Sequence, residues 1–89
     1  MADKILIVDD DPAIRKLLEK VMHSNEMETT AADSGASALR LLSENSYDLI
    51  LMDITLGDME GFEVIKQMRG QGIKTPVITV RGLGYRFTP

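Results

Sequence analysis

Three aspartates that directly follow two short apolar runs are the residues of this chain best suited to chemistry. The run ILIV at residues 5–8 leads into Asp9 and Asp10, and the run LILM at residues 49–52 leads into Asp53. Short apolar runs that contain β-branched residues and end in a turn are typical of buried parallel strands. Because ligands bind at the carboxyl ends of such strands, the three carboxylates should meet at one sheet edge. Carboxylate oxygens gathered there predict a site for a hard cation.

The first acidic cluster also has an interpretation that needs no ligand. Asp9, Asp10 and Asp11 precede Pro12, and an aspartate followed by proline is typical of the first residues of a helix. Carboxylates at that position stabilise the helix through its dipole. The cluster alone therefore fits either a cation site or an exposed group of helix caps, and Asp53 at the end of a second strand favours the cation site.

Predicted strands and helices alternate along the chain and would position these aspartates. The first helix is predicted over residues 12–25, the second begins after Ser34, and the third ends near Gly70. The predicted strands are Lys4–Val8, Glu28–Ala32, residues 49–52 and residues 76–80, and the apolar stripe of the first helix consists of Ile14, Leu17, Leu18, Val21 and Met22. This alternation predicts an α/β fold with a parallel sheet and right-handed crossovers. The turn RGLG and the run YRF then break the alternation, and they predict a C-terminal β-hairpin.

Length and composition limit the classes of function. The chain has 89 residues and a net charge of −4, which predicts one small domain and argues against nucleic-acid binding by the bulk of its surface. No apolar run reaches the roughly 18 residues of a membrane span, and no segment resembles a signal peptide. The chain contains no cysteine, which excludes disulfides and thiolate zinc sites. We therefore expect a cytoplasmic protein without a membrane partner.

Two motifs resemble those of one protein family. The sequences KILIVDDDP at residues 4–12 and DLILMDITLGDMEG at residues 48–61 resemble the receiver domain of bacterial two-component response regulators, and the likeness covers residues 3–78. The resemblance implies a flavodoxin-like fold of three layers, truncated here to a parallel sheet of four strands. It also implies a role in phosphorelay signal transduction, with a sensor histidine kinase as the partner and Mg²⁺ as the cofactor.

The same resemblance assigns roles to individual residues. Asp53 is the implied phospho-acceptor. The implied metal ligands are Asp9, Asp10, Asp53 and the backbone carbonyl of Thr55. Gly61 matches the glycine at which the loop enters the third helix. Two departures are mild, since Gly57 stands where the family usually has proline and Glu60 where it usually has aspartate.

The C-terminal residues resemble a different part of the response regulators. Residues 79–87 look like the wing hairpin that closes the DNA-binding domain of winged-helix regulators. The chain therefore looks internally deleted: one domain over residues 1–89, with a receiver portion at 1–78 and a wing-like tail at 79–89. The return run of the hairpin, residues 85–87, is expected to add an antiparallel edge strand beside the fourth strand.

The truncation is expected to remove two groups that contact the phosphoryl group in receivers. The family's Ser or Thr just after the fourth strand falls at position 81, which is an arginine here, and Thr79 lies two residues earlier. The family's lysine at the end of the fifth strand has no counterpart, because no lysine follows Lys74. We therefore expect a phospho-acceptor module, not an enzyme, in which phosphorylation of Asp53 is impaired.

Two alternative functions stay open from the sequence. The chain could be an interaction module that binds a kinase or regulator without taking phosphate, or a deletion or designed product without physiological activity. The exposed sheet face left by the truncation predicts a homo-oligomer, a dimer or a larger assembly, with exchanged elements. The helix that would read bases is absent, so we do not expect specific DNA binding.

Overall fold

Four parallel strands form a single sheet with helices on both faces. The structure is a computed structural model and describes residues 3–80. The strands are Lys4–Val8 (β1), Glu28–Ala32 (β2), Leu49–Asp53 (β3) and Val77–Val80 (β4), and the helices are Pro12–Ser24 (α1), Gly35–Glu44 (α2) and Gly61–Gly70 (α3). The strand order is β2-β1-β3-β4, and each neighbouring pair is parallel. The predicted alternation and the parallel four-stranded sheet are therefore confirmed.

The central strands β1 and β3 are buried on both faces of the sheet, which explains why their sequences are continuous apolar runs. Alternate side chains of β1 enter different cores: Leu6 and Val8 pack beneath α2 and α3, whereas Ile5 and Ile7 pack beneath α1. The register places Val8 beside Met52 on β3. The residues that follow, Asp9 and Asp53, thereby reach the same end of the sheet.

Helix α1 begins as the sequence predicts but buries a narrower stripe. Asp11 is the N-cap, its carboxylate accepts a hydrogen bond from the Ala13 amide at 2.9 Å, and a proline occupies the first turn. Of the stripe of five apolar residues, Ile14 is buried and Leu18 and Met22 are half-buried against the core, whereas Leu17 and Val21 are 55% and 44% exposed. Positions 14, 18 and 22 are four residues apart and face the sheet, and the other two lie to the side of that line.

Three predicted boundaries shift by one residue. Helix α1 ends at Ser24, and Asn25 is its C-cap. Strand β3 extends to Asp53, and β4 begins at Val77 because Pro76 has no amide hydrogen to donate. The carbonyl of Pro76 still accepts a hydrogen bond from the Ile50 amide at 2.9 Å. The predicted turn with Arg81 and the predicted return strand at residues 85–87 lie outside the described residues. Within residues 3–80, no helix has the length and apolar character needed to cross a membrane.

Candidate functional site

Three carboxylates meet at the carboxyl end of the sheet. Asp9 follows β1 directly, Asp10 is the next residue, and Asp53 is the last residue of β3. One oxygen atom from each of these side chains lies within 4.8 Å of the other two. The structure thus brings together the three acidic residues that the sequence predicted for a cation site.

Asp9 is the buried member of the cluster and is only 1% exposed. Its Oδ1 accepts a hydrogen bond from the Asp11 amide at 2.9 Å. Its Oδ2 is buried and has no hydrogen-bond partner in the described part of the chain. Burial raises the pKa of the Asp9 carboxyl; the Asp11 amide acts against that shift, and the nearby charges of Asp53 and Asp10 add to it. A cation beside Oδ2 would offset both the burial and the repulsion.

Backbone contacts hold Asp9 in this position from two sides. Its amide donates to the carbonyl of Ala32 at the end of β2, at 3.1 Å. Its carbonyl accepts a hydrogen bond from Nη1 of Arg15 on α1, at 2.8 Å. Asp9 is therefore part of a fixed backbone, which distinguishes it from Asp11, the half-buried N-cap of α1.

The loop between β3 and α3, residues 54–60, folds back on itself beside the cluster. The amide of Gly61 donates to the carbonyl of Ile54 at 2.6 Å, and the amide of Leu56 donates to the carbonyl of Met59 at 3.1 Å. Thr55 and Glu60 form an antiparallel bridge between the two arms of the loop. The amide of Thr55 also donates to Oδ1 of Asp53 at 3.3 Å, so the residue proposed as a carbonyl ligand adjoins the cluster.

Two glycines of this region have different structural roles. A Cβ atom on Gly61 would overlap the carbonyl oxygen of Asp53, so the close return of the loop to β3 requires glycine. A Cβ atom on Gly57 would lie 3.9 Å from Oδ2 of Asp10, which is an ordinary contact. The tip of the loop therefore lies beside the acidic cluster and has room for a larger residue.

The hydroxyl of Thr79 does not lie at the position that corresponds to the family's Ser or Thr, which is position 81. Thr79 pairs with Met52, and Val80 pairs with Asp53, so Thr79 lies one residue short of the strand end. Lys74 precedes β4 and lies at the opposite end of that strand. Arg81, the position expected for the missing hydroxyl, lies outside the described residues.

Sequence reasoning missed one contact near the site. Both carboxylate oxygens of Asp58 accept hydrogen bonds from the first turn of α2, from the Gly35 amide at 2.8 Å and the Ala36 amide at 2.9 Å. These two hydrogen bonds lower the pKa of Asp58. The partners are more than 20 residues apart along the chain, so no local spacing could have indicated the contact.

Comparison with known proteins identifies the family that has this arrangement. The response regulator receiver domain family matches residues 5–84. This chain belongs to that family. The parallel sheet and its flanking helices are the flavodoxin-like receiver fold, and the chain is a response regulator receiver domain of the type used in two-component phosphorelay systems.

Two curated relatives show the extent of the similarity. The chain is 38% identical to the regulatory protein AtoC of Escherichia coli over 76 residues, which is 85% of this chain and 16% of AtoC. It is 32% identical to the cell cycle response regulator CtrA of Brucella ovis over 80 residues, which is 90% of this chain and 34% of CtrA. The chain therefore corresponds to about a third or less of the length of these relatives.

Solved structures match the fold closely. The receiver domain of the Francisella response regulator 1452 superimposes with a TM-score of 0.86 at 35% identity, over 92% of this chain and 68% of that one. The response regulator TrrA of Thermotoga maritima, solved in complex with Mg²⁺ and BeF, gives a TM-score of 0.85 at 30% identity, over 92% of this chain and 71% of that one.

Proposed function

We propose that this receiver binds Mg²⁺ through its acidic cluster and accepts a phosphoryl group on Asp53 from a sensor histidine kinase. The observation that supports this most directly is the cluster itself, in which three carboxylates gather around a buried oxygen of Asp9 that has no hydrogen-bond partner among the described residues. Oxygen donors of this kind fit Mg²⁺. The similar receiver TrrA was solved with Mg²⁺ and BeF.

The proposed roles follow from the positions of the residues. Asp9, Asp10 and Asp53 would hold the metal together with the carbonyl of Thr55. When bound, Mg²⁺ supplies positive charge that offsets the carboxylates and the phosphoryl oxygens. A carboxylate oxygen of Asp53 attacks phosphorus, an O–P bond forms as the P–N bond of the phosphohistidine breaks, and the released imidazole nitrogen is protonated. The chain acts as a phosphoryl acceptor and not as an enzyme with turnover.

We propose that this transfer is slow compared with that of a receiver that retains all phosphoryl-contacting groups. Support comes from the position of Thr79, which lies one residue short of the strand end. The same observation favours a second candidate function, in which the chain binds a kinase or regulator without taking phosphate.

The experiment that tests the proposal is intact mass spectrometry after incubation with Mg²⁺ and acetyl phosphate. Asp53→Asn is the control, because it keeps the size of the side chain and removes the nucleophilic carboxylate. We expect a mass increase of one phosphoryl group in the unsubstituted chain that is absent from the control and from samples with EDTA.

The absence of an adduct in a folded sample would contradict phospho-acceptance. Binding to a histidine kinase would then favour the interaction module, and failure to bind would favour a product without physiological activity. The resemblance of residues 79–87 to a wing, with the implied internal deletion, stays a prediction, as does the single domain over residues 1–89.

We also propose that two copies of the chain associate through the α1 side of the sheet. Ile78 on the edge strand β4 is 52% exposed, and it pairs with Leu51, which belongs to the core beneath α1. Leu17 and Val21 add apolar surface on α1. This apolar surface can pack against the same surface of a second copy about a two-fold axis, which would cover Ile78.

Light scattering at tens of micromolar tests self-association. Ile78→Thr should shift the chain toward the monomer, whereas Phe62→Ser, which changes an equally exposed residue of α3, should not. A monomer in the unsubstituted chain would contradict the proposal. The cytoplasmic location and the lack of specific DNA binding stay predictions.

A further inference from the structure

The N-terminus of α2 receives caps from two different parts of the chain. Ser34, the residue before the helix, accepts a hydrogen bond from the Ser37 amide through its hydroxyl at 3.1 Å. The two preceding amides, of Gly35 and Ala36, donate instead to the two carboxylate oxygens of Asp58. Three free amides of the first turn are thereby satisfied, and two of them depend on the loop between β3 and α3.

The same end of α2 also packs against the loop. A Cβ atom on Gly35 would overlap the side chain of Met59 and would come within 3.0 Å of Val64 on α3. Met59 follows Asp58 directly, so the hydrogen bonds and the apolar contact hold neighbouring residues of the loop. The tip of the loop is therefore fixed to α2 by two hydrogen bonds and one apolar contact.

The base of this loop is the acidic site. Asp53 lies where the loop begins, and the Thr55 amide contacts its carboxylate at 3.3 Å. Gly57, the neighbour of Asp58, lies beside Oδ2 of Asp10. Displacement of Asp58 from α2 would consequently move backbone that borders two of the three carboxylates.

We propose that Asp58 is a positioning residue that couples the N-terminus of α2 to cation binding at the acidic site. This inference rests on the proposed function, because it concerns the same Mg²⁺ site. The Asp58–α2 contact keeps loop 54–60 in the arrangement that places Thr55 and Gly57 beside the cluster. Cation binding, in turn, stabilises the loop and thereby protects the two amides that Asp58 caps.

The location of Asp58 also separates its charge from the cluster. A fourth carboxylate near Asp9, Asp10 and Asp53 would add to their repulsion if it pointed inward. Asp58 instead directs both oxygens at the positive end of α2, which stabilises negative charge there. Its contribution to the site is thus geometric, and this distinguishes it from a further metal ligand.

The test compares Mg²⁺ affinity, measured by isothermal titration calorimetry, in four variants. Asp58→Ala removes both hydrogen bonds, and Asp58→Asn keeps one acceptor oxygen without the charge. Glu60→Ala removes a carboxylate from the same loop that makes no capping hydrogen bond. Ser34→Ala removes a cap of α2 whose hydroxyl accepts the amide of Ser37 within the helix. Circular dichroism verifies that each variant is folded.

We expect Asp58→Ala to raise the dissociation constant about three- to tenfold beyond the effect of Glu60→Ala, since releasing the loop costs the equivalent of one or two hydrogen bonds. Asp58→Asn should bind Mg²⁺ more tightly than Asp58→Ala does, although asparagine has no charge, because it keeps one acceptor oxygen. Ser34→Ala should lower the melting temperature and leave the dissociation constant unchanged.

Amide hydrogen exchange of Gly35 and Ala36 is the second readout. Mg²⁺ should slow exchange at these two amides in the unsubstituted chain and not in Asp58→Ala. Equal dissociation constants for Asp58→Ala and Glu60→Ala, or exchange at both amides that does not respond to Mg²⁺, would overturn the coupling alone. A flat Mg²⁺ titration of the unsubstituted chain would overturn both the coupling and the proposed metal site.

Discussion

The two oxygens of Asp9 show how one residue serves structure and chemistry at once. Oδ1 accepts the Asp11 amide at the entrance to α1, whereas the buried Oδ2 has no hydrogen-bond partner among the described residues. A buried charged oxygen without a partner destabilises the folded state. Its position beside Asp10 and Asp53 is the observation that supports the proposed cation site.

Asp9→Asn should therefore stabilise the metal-free chain. Asparagine keeps the acceptor for the Asp11 amide and replaces the charged Oδ2 with an amide group that can donate to a neighbouring carboxylate. We expect the free energy of unfolding, measured with urea in the presence of EDTA, to rise by about 1 kcal/mol. The control is Asp33→Asn at an exposed acidic residue, which should change it by less than about 0.5 kcal/mol. Lower stability of Asp9→Asn than of the unsubstituted chain would contradict this account of Oδ2.

The contribution of Asp58 to stability should depend on pH in a defined direction. The amides of Gly35 and Ala36 hold the pKa of Asp58 below its ordinary value, which is about 3.9 for aspartate. The folded state then binds the proton more weakly than the unfolded state does. The stabilisation is complete above the ordinary pKa, and it is lost as the pH falls through the lowered one.

Urea unfolding between pH 7 and acidic pH measures this dependence. The stability difference between the unsubstituted chain and Asp58→Asn should be constant near neutral pH and should shrink below about pH 4. The difference for Ser34→Ala should not follow the same curve, because a hydroxyl cap does not titrate. A stability difference for Asp58→Asn that grows on acidification would contradict the prediction that the stabilisation by Asp58 is lost at low pH.

At the scale of the element, the loop between β3 and α3 packs against backbone at Gly61 and has no room there for a side chain. Gly61 starts α3 directly beneath the end of β3, and a Cβ atom there would meet backbone atoms of Asp53 and Ile54. Backbone cannot rotate away from such a contact as a flexible side chain can. The loop can return to the strand only with glycine at this position.

Gly61→Ala should consequently lower the free energy of unfolding by about 1–3 kcal/mol, the usual cost of overpacking. Gly57→Ala in the same loop is the matched control, because its Cβ atom would make only an ordinary contact. Urea unfolding of the two variants measures both effects. Equal effects of the two substitutions would contradict the steric role of Gly61.

The elements also show what the sequence could and could not reveal. The placement of Asp9 and Asp53 at the ends of two strands was predictable, because a strand buried on both faces leaves a continuous apolar run that a polar residue ends abruptly. The exposure of Leu17 was not predictable, because a helix with five apolar positions has a wider apolar face than its contact with one sheet covers. The contact of Asp58 with α2 was also not predictable, because it depends on where two distant elements meet in the folded chain.

At the scale of the whole molecule, the acidic site exists only when the sheet is assembled. Its members come from β1 and β3, which are neighbours in the sheet, although Asp9 and Asp53 are 44 residues apart along the chain (53 − 9). An unfolded chain does not bring these carboxylates together, so it offers no comparable site. A cation that binds the cluster must then stabilise the entire cooperative unit.

Mg²⁺ should for this reason raise the melting temperature of the chain. At a free concentration about five times the dissociation constant, one bound ion adds about 1 kcal/mol to the free energy of unfolding. Calorimetric melting with increasing MgCl₂ at constant ionic strength measures the effect, and Asp53→Asn should abolish most of it because β3 then contributes no carboxylate. An equal rise in Asp53→Asn would mean that the ion acts elsewhere on this acidic chain, and the acidic cluster would then be a collection of charges without a ligand.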